Sequence, residues 1–173
     1  MPETRGSEQR PEPPRPRVAL AADHAGFELK ERIREELRRL GIEPADLGAH
    51  RFEPADDYPD FAELVGRHVA EGKSDKAVVV CGSGVGVSVA LNKFPGVRAA
   101  VCHDPYSARQ GVEHDDMNVL CLGSRVIGVE LALDLVRTFL QARFTDEERH
   151  RRRLRKVLEI ERRNLGLPGR SPP

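Results

Sequence analysis

Short β-rich runs alternate with helix-period runs from residue 17 to residue 164, and this alternation constrains the fold more than any other feature. Arg17–Ala22 (RVALAA) reads as a buried strand. Leu29, Ile33, Leu37 and Leu40 then recur at helical spacing, and Gly41 supplies a stop. Ile42–Leu47 is a weaker strand, followed by a loop through Asp56 and Asp57 and a helix over Pro59–Glu71. Lys76–Cys81 (KAVVVC) is the clearest strand, and Gly86–Lys93 begins the next helix. Val97–Cys102 and Asn118–Leu122 are further strands, with a helix opening at His103-Asp104-Pro105-Tyr106 between them. Helices over Gly128–Ala142 and Asp146–Asn164 complete the series. Alternation of this kind demands right-handed crossovers, a parallel sheet and helices on both faces. The expected fold is therefore α/β: a three-layer α/β/α sandwich around a five-stranded parallel sheet, Rossmann-like, with an added C-terminal helix. Ligands in such folds sit beyond the carboxyl ends of the strands, where strand order reverses. If the first and third strands are neighbours, that point lies between the turns that follow them.

The ends of the chain read differently. Pro2, Pro11, Pro13, Pro14 and Pro16 fall before the first strand, and Pro168, Pro172 and Pro173 after the last helix. Residues 1–16 and 165–173 are thus expected to be disordered tails flanking one domain over 17–164. Lysine plus arginine and aspartate plus glutamate both number 28. That balance argues against a general nucleic-acid or anionic-membrane binder. No apolar run approaches the ~20 residues needed to span a bilayer, and the first residues lack the apolar core of a secretory signal. Three cysteines without a C-x-x-C pair fit a reducing, cytoplasmic setting.

Chemistry concentrates in the turns after the first and third strands. The first carries Asp23-His24-Ala25-Gly26, a carboxylate beside an imidazole. This pair can bind sugar hydroxyls and move protons, or Asp23 can simply cap the following helix. The second is Cys81-Gly82-Ser83-Gly84-Val85-Gly86. Its alternate glycines let backbone N–H groups converge on a ligand. The helix that follows adds a positive end that should lower the pKa of Cys81. Cys102 and Cys121 read instead as small buried hydrophobes.

Familiar alternatives for the glycine turn fail. A dinucleotide fingerprint needs a glycine where Val87 stands, no Walker pattern exists, and a phosphatase loop needs an arginine that is missing between Cys81 and Lys93. Downstream, Glu113-His114-Asp115-Asp116 precedes the last strand, with His114 expected in a strand-entry loop between carboxylates that should raise its pKa. This cluster has no second ligand pair at zinc spacing, so no metal is expected. On the final helix Arg149 and Arg153 lie one turn apart, bordering an apolar arc of Leu154, Val157, Leu158 and Ile160. The pair is expected to point inward and suits a phosphate. A solvated basic face or an RNA contact is the alternative.

Taken together, AADHAGFELK, DYPDFA, VCGSGVGVSVALNKFPGVRAA, PYSARQGVEHDDMNVLCLGSRVIG and ERHRRR resemble the type B ribose-5-phosphate isomerases, in the wider family that includes galactose-6-phosphate isomerases. The resemblance covers about residues 17–164. It implies interconversion of aldose and ketose phosphates through a cis-enediolate, with no metal or organic cofactor. It implies Cys81 as the base that moves a proton between two carbons. Gly82, Ser83, Gly84, Val85 and Gly86 would hold the enediolate oxygen, with Ser83 where the family often has threonine. His114 would assist ring opening, and Asp23 and His24 would contact substrate. Arg125, Arg149 and Arg153 would grip the phosphate. The family's sites form between subunits, so a homodimer or dimer of dimers is implied, with a small phosphorylated sugar as ligand and neither membrane nor nucleic acid as partner.

One residue departs from the pattern: Asp115 stands where the family commonly has asparagine. An ionised carboxylate donates no hydrogen bond and repels an enediolate. Ribose 5-phosphate is the first expectation for substrate, with another pentose, tetrose or hexose phosphate as the alternative. A non-catalytic or RNA-binding protein on the same fold is a further one.

Overall fold

The computed structural model describes residues 15–167. The tails expected over 1–16 and 165–173 lie mostly outside the described residues. The strands are β1 (Val18–Ala22), β2 (Ala45–Asp46), β3 (Lys76–Cys81), β4 (Ala99–Val101) and β5 (Val119–Gly123). The helices are α1 (Phe27–Arg39), α2 (Tyr58–Ala70), α3 (Val85–Leu91), α4 (Pro105–Asp115), α5 (Val129–Gln141) and α6 (Glu148–Asn164), with a single 3-10 turn over His24–Gly26 before α1. Among the described residues no helix is long and apolar enough to cross a membrane.

All strand pairs are parallel, in the order β2-β1-β3-β5-β4. With right-handed crossovers, the direction of each step along the sheet decides which face its helix covers. The steps bridged by α1 and α4 run one way, and those bridged by α2 and α3 run the other. The core divides accordingly. Val18, Leu20, Ala22, Val78, Val80, Leu120 and Leu122 pack with α1, α4 and α5. Ala19, Ala21, Ala77, Val79, Cys81, Val119 and Cys121 pack with α2 and α3. The three inner strands are buried on both faces, which is why they read as continuous apolar runs rather than alternating ones.

Two strands are shorter than their sequence patterns. Ile42 donates its N–H back to Leu37 at the end of α1, and Pro44 has no N–H to give, so β2 begins only at Ala45. At the other edge, the N–H of Arg98 goes to the Asn118 side chain and β4 starts at Ala99. Asn92 both donates to and accepts from the backbone of Ala99, occupying the open edge of that strand.

The last helix corrects an expectation. It lies outside the three layers, packs against α4, and buries only His150. Glu161 accepts the Gly96 N–H at 2.9 Å. Val157, Leu158 and Ile160 are exposed and Leu154 is half-buried, so nothing among the described residues fully covers the apolar arc. Arg149 and Arg153 are exposed rather than turned into the domain, because the side of α6 that faces α4 is taken by His150, stacked on His114.

Lys76, the first residue of β3, is buried and donates to the carbonyls of Phe139 (2.7 Å) and Ala142 (2.9 Å), closing the carboxyl end of α5. Replacing it strands those acceptors away from water. Lys76→Met is expected to cost about 1–3 kcal/mol of stability, read from the urea unfolding midpoint; an unchanged midpoint would show that α5 does not depend on this amine.

Candidate active site

Because β1 steps outward to β2 while β3 steps the other way, the crevice opens beyond Ala22 and Cys81, whose strands pair directly. A cleft of about 350 Å³ lies there, lined by Asp23, Tyr58, Cys81, Gly82, Ser83, Gly86, Arg125 and Val126. A larger cavity of about 690 Å³ adjoins it through Arg125 and is lined in part by His24, Arg32, Phe52 and the start of α5.

Cys81 ends β3 with its side chain buried, and its Sγ accepts the Gly84 N–H at 3.0 Å. Gly84 makes that contact at φ +80, a left-handed conformation that side chains resist. Val85 donates to Ser83 Oγ at 3.3 Å, so two of the loop's N–H groups are engaged within the loop itself. The loop rests on Gly123, where a Cβ would come within 2.7 Å of the Ser83 carbonyl group. Ser124 fastens the neighbouring turns: its N–H donates to Cys81 O and its hydroxyl to Ala25 O at 2.6 Å. Arg125 donates its N–H to Gly82 O, and its side chain lies over Gly82.

Asp23 acts as a cap and also borders the cleft. Its carboxylate accepts the Gly26 N–H at 3.0 Å as a cap, and it forms part of the cleft wall. His24 is bound twice by Asp56, whose Oδ1 accepts the backbone N–H at 3.0 Å and lies 2.7 Å from Nδ1. That hydrogen bond, reinforced by the charges of Asp23 and Asp56, holds the imidazole above the usual histidine range.

The other sequence-selected residues lie elsewhere. His114 sits in the last turn of α4, not in a strand-entry loop, because the helix runs through Asp115. Its neighbours are Gln110, 2.9 Å from Nδ1, and the stacked ring of His150 at 4.0 Å. It is not held between carboxylates, since residues adjacent in a helix do not face one another; Glu113 reaches instead toward Arg109. Asp115 is exposed. Arg149 pairs with Glu147 at 2.8 Å. His114, Arg149 and Arg153 are not among the residues that line the cleft, so the candidates form two groups, one at the strand ends and one where α4 meets α6.

Tyr58, Val126, Asp56 and Ser124 were missed by the sequence reading. Tyr58 and Asp56 lie in or beside DYPDFA, and Ser124 and Val126 adjoin Arg125, yet only the folded chain shows what they touch. Among the described residues no three His, Cys, Asp or Glu side chains gather as a metal site requires.

The Asp56 contact has a measurable consequence. By NMR, His24 is expected to titrate above 6.5, and Asp56→Asn should bring its midpoint down. The pair supports folding at pH below the unfolded histidine value, and that support fades as pH rises through the folded one. A midpoint unaffected by Asp56→Asn would deny the ion pair.

Comparison with known proteins identifies the family of the chain. The sequence model of the Ribose/Galactose Isomerase family matches residues 18–157. Ribose-5-phosphate isomerase B of Escherichia coli is 44% identical over 147 residues, covering 85% of this chain and 97% of that protein. D-erythrulose-4-phosphate isomerase 2 of Mycolicibacterium smegmatis is 38% identical over 132 residues, covering 74% of this chain and 86% of its own. The structure of Clostridium thermocellum ribose-5-phosphate isomerase B superposes with a TM-score of 0.82 at 45% identity, covering 86% of this chain and 99% of that one. With its parallel sheet, its glycine turn at the switch point and these relatives, the chain belongs to the ribose/galactose isomerase family.

Proposed function

We propose that this protein interconverts ribose 5-phosphate and ribulose 5-phosphate through a cis-enediolate, with Cys81 as the base. The observation that carries the reading is Cys81 itself, fixed at the strand-end cleft by the Gly84 N–H with Gly82, Ser83 and Gly86 around it. As thiolate, Sγ takes the proton from C2 of the open-chain aldose. The C–H electrons form the C1–C2 double bond and O1 takes the negative charge. The O2 hydroxyl gives up its proton and O1 gains one. Returning the first proton to C1 then restores the base and leaves a hydroxyl at C1 and the carbonyl at C2. Donors placed at the developing oxyanion lower this barrier, and Ser83 with the loop N–H groups would provide them. Asp23 and His24 would contact the sugar. Arg125, Arg149 and Arg153 would bind the phosphate, whose grip orients the reacting carbons from a distance. His114 would assist opening of the sugar ring.

A site with all these parts requires two copies of the chain. The cleft contains Cys81 but not His114, Arg149 or Arg153, while α6 exposes Val157, Leu158 and Ile160, which a second copy would cover. We therefore read the protein as a homodimer, or a dimer of dimers, with composite sites. Its three buried free thiols suit a reducing cytoplasm. Asp115, exposed beside His114, favours a second reading in which another sugar phosphate is preferred, and the similarity to a tetrose-phosphate isomerase agrees with that.

Both readings answer to one assay, a screen of tetrose, pentose and hexose phosphates for isomerisation with deuterium incorporation from solvent. Cys81→Ala is expected to lower turnover at least a thousandfold without unfolding the protein; near-normal turnover would assign the base elsewhere. For the composite site, inactive Cys81→Ala and His114→Ala subunits are unfolded and refolded together. About half of randomly reassorted dimers are mixed, and each mixed dimer has one site with neither lesion, so about a quarter of all sites should recover. No recovery, with mixed dimers shown by mass, would place both residues in one subunit's site.

A further inference from the structure

On a helix, a side chain at i−4 can reach the one at i, and Gln110 does so for His114, its amide nitrogen 2.9 Å from Nδ1. An amide NH2 only donates. Nδ1 of His114 is therefore the acceptor, and the neutral ring carries its proton on Nε2. Against the same imidazole lies His150 of α6, the two ring planes inclined by 25° and their centroids 4.0 Å apart.

His150 is itself fixed. It is 1% exposed, and its Nδ1 lies 2.7 Å from Thr145 Oγ1. The Thr145 hydroxyl donates to the Glu113 carbonyl at 3.0 Å, which commits its only proton, so the oxygen accepts from His150 Nδ1–H. The Thr145 N–H donates to that same carbonyl. Burial, then the neighbouring His114, Arg149 and Arg153, hold His150 below the usual histidine range despite Glu147, so it stacks as a neutral ring. The chain of contacts thus leaves α4 at Glu113, passes through Thr145 and His150, and returns to α4 at His114.

Resting on the functional reading above, we propose that Gln110 and His150 are positioning residues for His114, holding its imidazole in one plane with a donor N–H at Nε2. Opening a furanose breaks the anomeric C–O bond, adds a proton to the departing ring oxygen and removes one from the anomeric hydroxyl. A neutral imidazole N–H can polarise an oxygen. Here it would hydrogen-bond the departing oxygen while water takes the hydroxyl proton and returns one to that oxygen. Only the cyclic aldose needs this step. Ribulose 5-phosphate cannot close a furanose, because its C5 oxygen carries the phosphate, and it reaches the enediolate directly.

The test separates the two chemistries. In 15N-labelled protein, His114 is expected to show a protonated Nε2 and a bare Nδ1. Gln110→Glu, whose carboxylate only accepts, should move the proton to Nδ1. The same variant is expected to lower net isomerisation of ribose 5-phosphate about tenfold while leaving deuterium exchange at C1 of ribulose 5-phosphate within about twofold of wild type. His150→Leu should behave likewise, and His150→Phe, which keeps an aromatic shelf, should retain most of the isomerisation. A protonated Nδ1 in the wild type, or equal loss of both activities or of neither in Gln110→Glu, overturns the proposal. Wild-type protein inert in both assays would instead defeat the functional reading, and the nitrogen shifts would still decide whether Gln110 sets the proton.

Discussion

A parallel sheet with right-handed crossovers can change direction only by leaving a gap between the loops of two adjacent strands. In this chain the change falls between β1 and β3. Everything at the cleft follows from that pairing. The register sets Ala22 beside Val80, so the turn that begins at Asp23 and the loop that begins after Cys81 emerge side by side. Helices on both faces then bury the inner strands completely, leaving the strand ends as the place where polar residues of several elements can meet.

The loops are held there by backbone contacts more than by side-chain pairs. Gly123 permits the Ser83 carbonyl to lie against β5, and Ser124 and Arg125 donate to the carbonyls of Cys81 and Gly82. His103 accepts the Gly123 N–H at 2.9 Å, tying the end of β5 to the turn after β4. The loop carrying the thiol therefore has little freedom relative to the sheet. A rigid donor array of this kind suits a reaction in which charge develops on oxygen without large movement of the substrate. That is the chemistry to which the family relationship points.

The junction of α4 and α6 is built on another principle. Here exposed and half-buried polar contacts link Thr145, Glu113, the buried His150 and Gln110 around one imidazole at the edge of the domain. The arginines of α6 face water, and three of them pair with acids on or near the same helix: Arg149 with Glu147, and Arg151 and Arg155 with Glu148. An arginine paired in the open is loosely held and can exchange its partner for a phosphate at small cost. The exposed apolar arc of α6 sits beside these groups, so a second copy that covered it would bring histidine and arginines to whatever it packed against.

Much of the architecture was legible from residue order alone. Lys76–Cys81 matches its strand residue for residue, and the Leu29–Leu40 and Gly128–Ala142 patterns match their helices to within a few positions. This is because two-sided burial writes an apolar run and one-sided burial writes a helical stripe, both local in sequence. Cys81 with its glycines was legible for the same reason, since a left-handed turn and a close backbone approach leave glycine little competition. Tertiary structure alone decided what depends on residues far apart in the chain. The short edges of β2 and β4 reflect N–H groups claimed by Leu37 and Asn118. His24 meets Asp56 across 32 positions, and His114 meets His150 across 36. The outward turn of Arg149 and Arg153 was likewise invisible, because periodicity fixes which residues share a helix face but not what, if anything, that face is packed against.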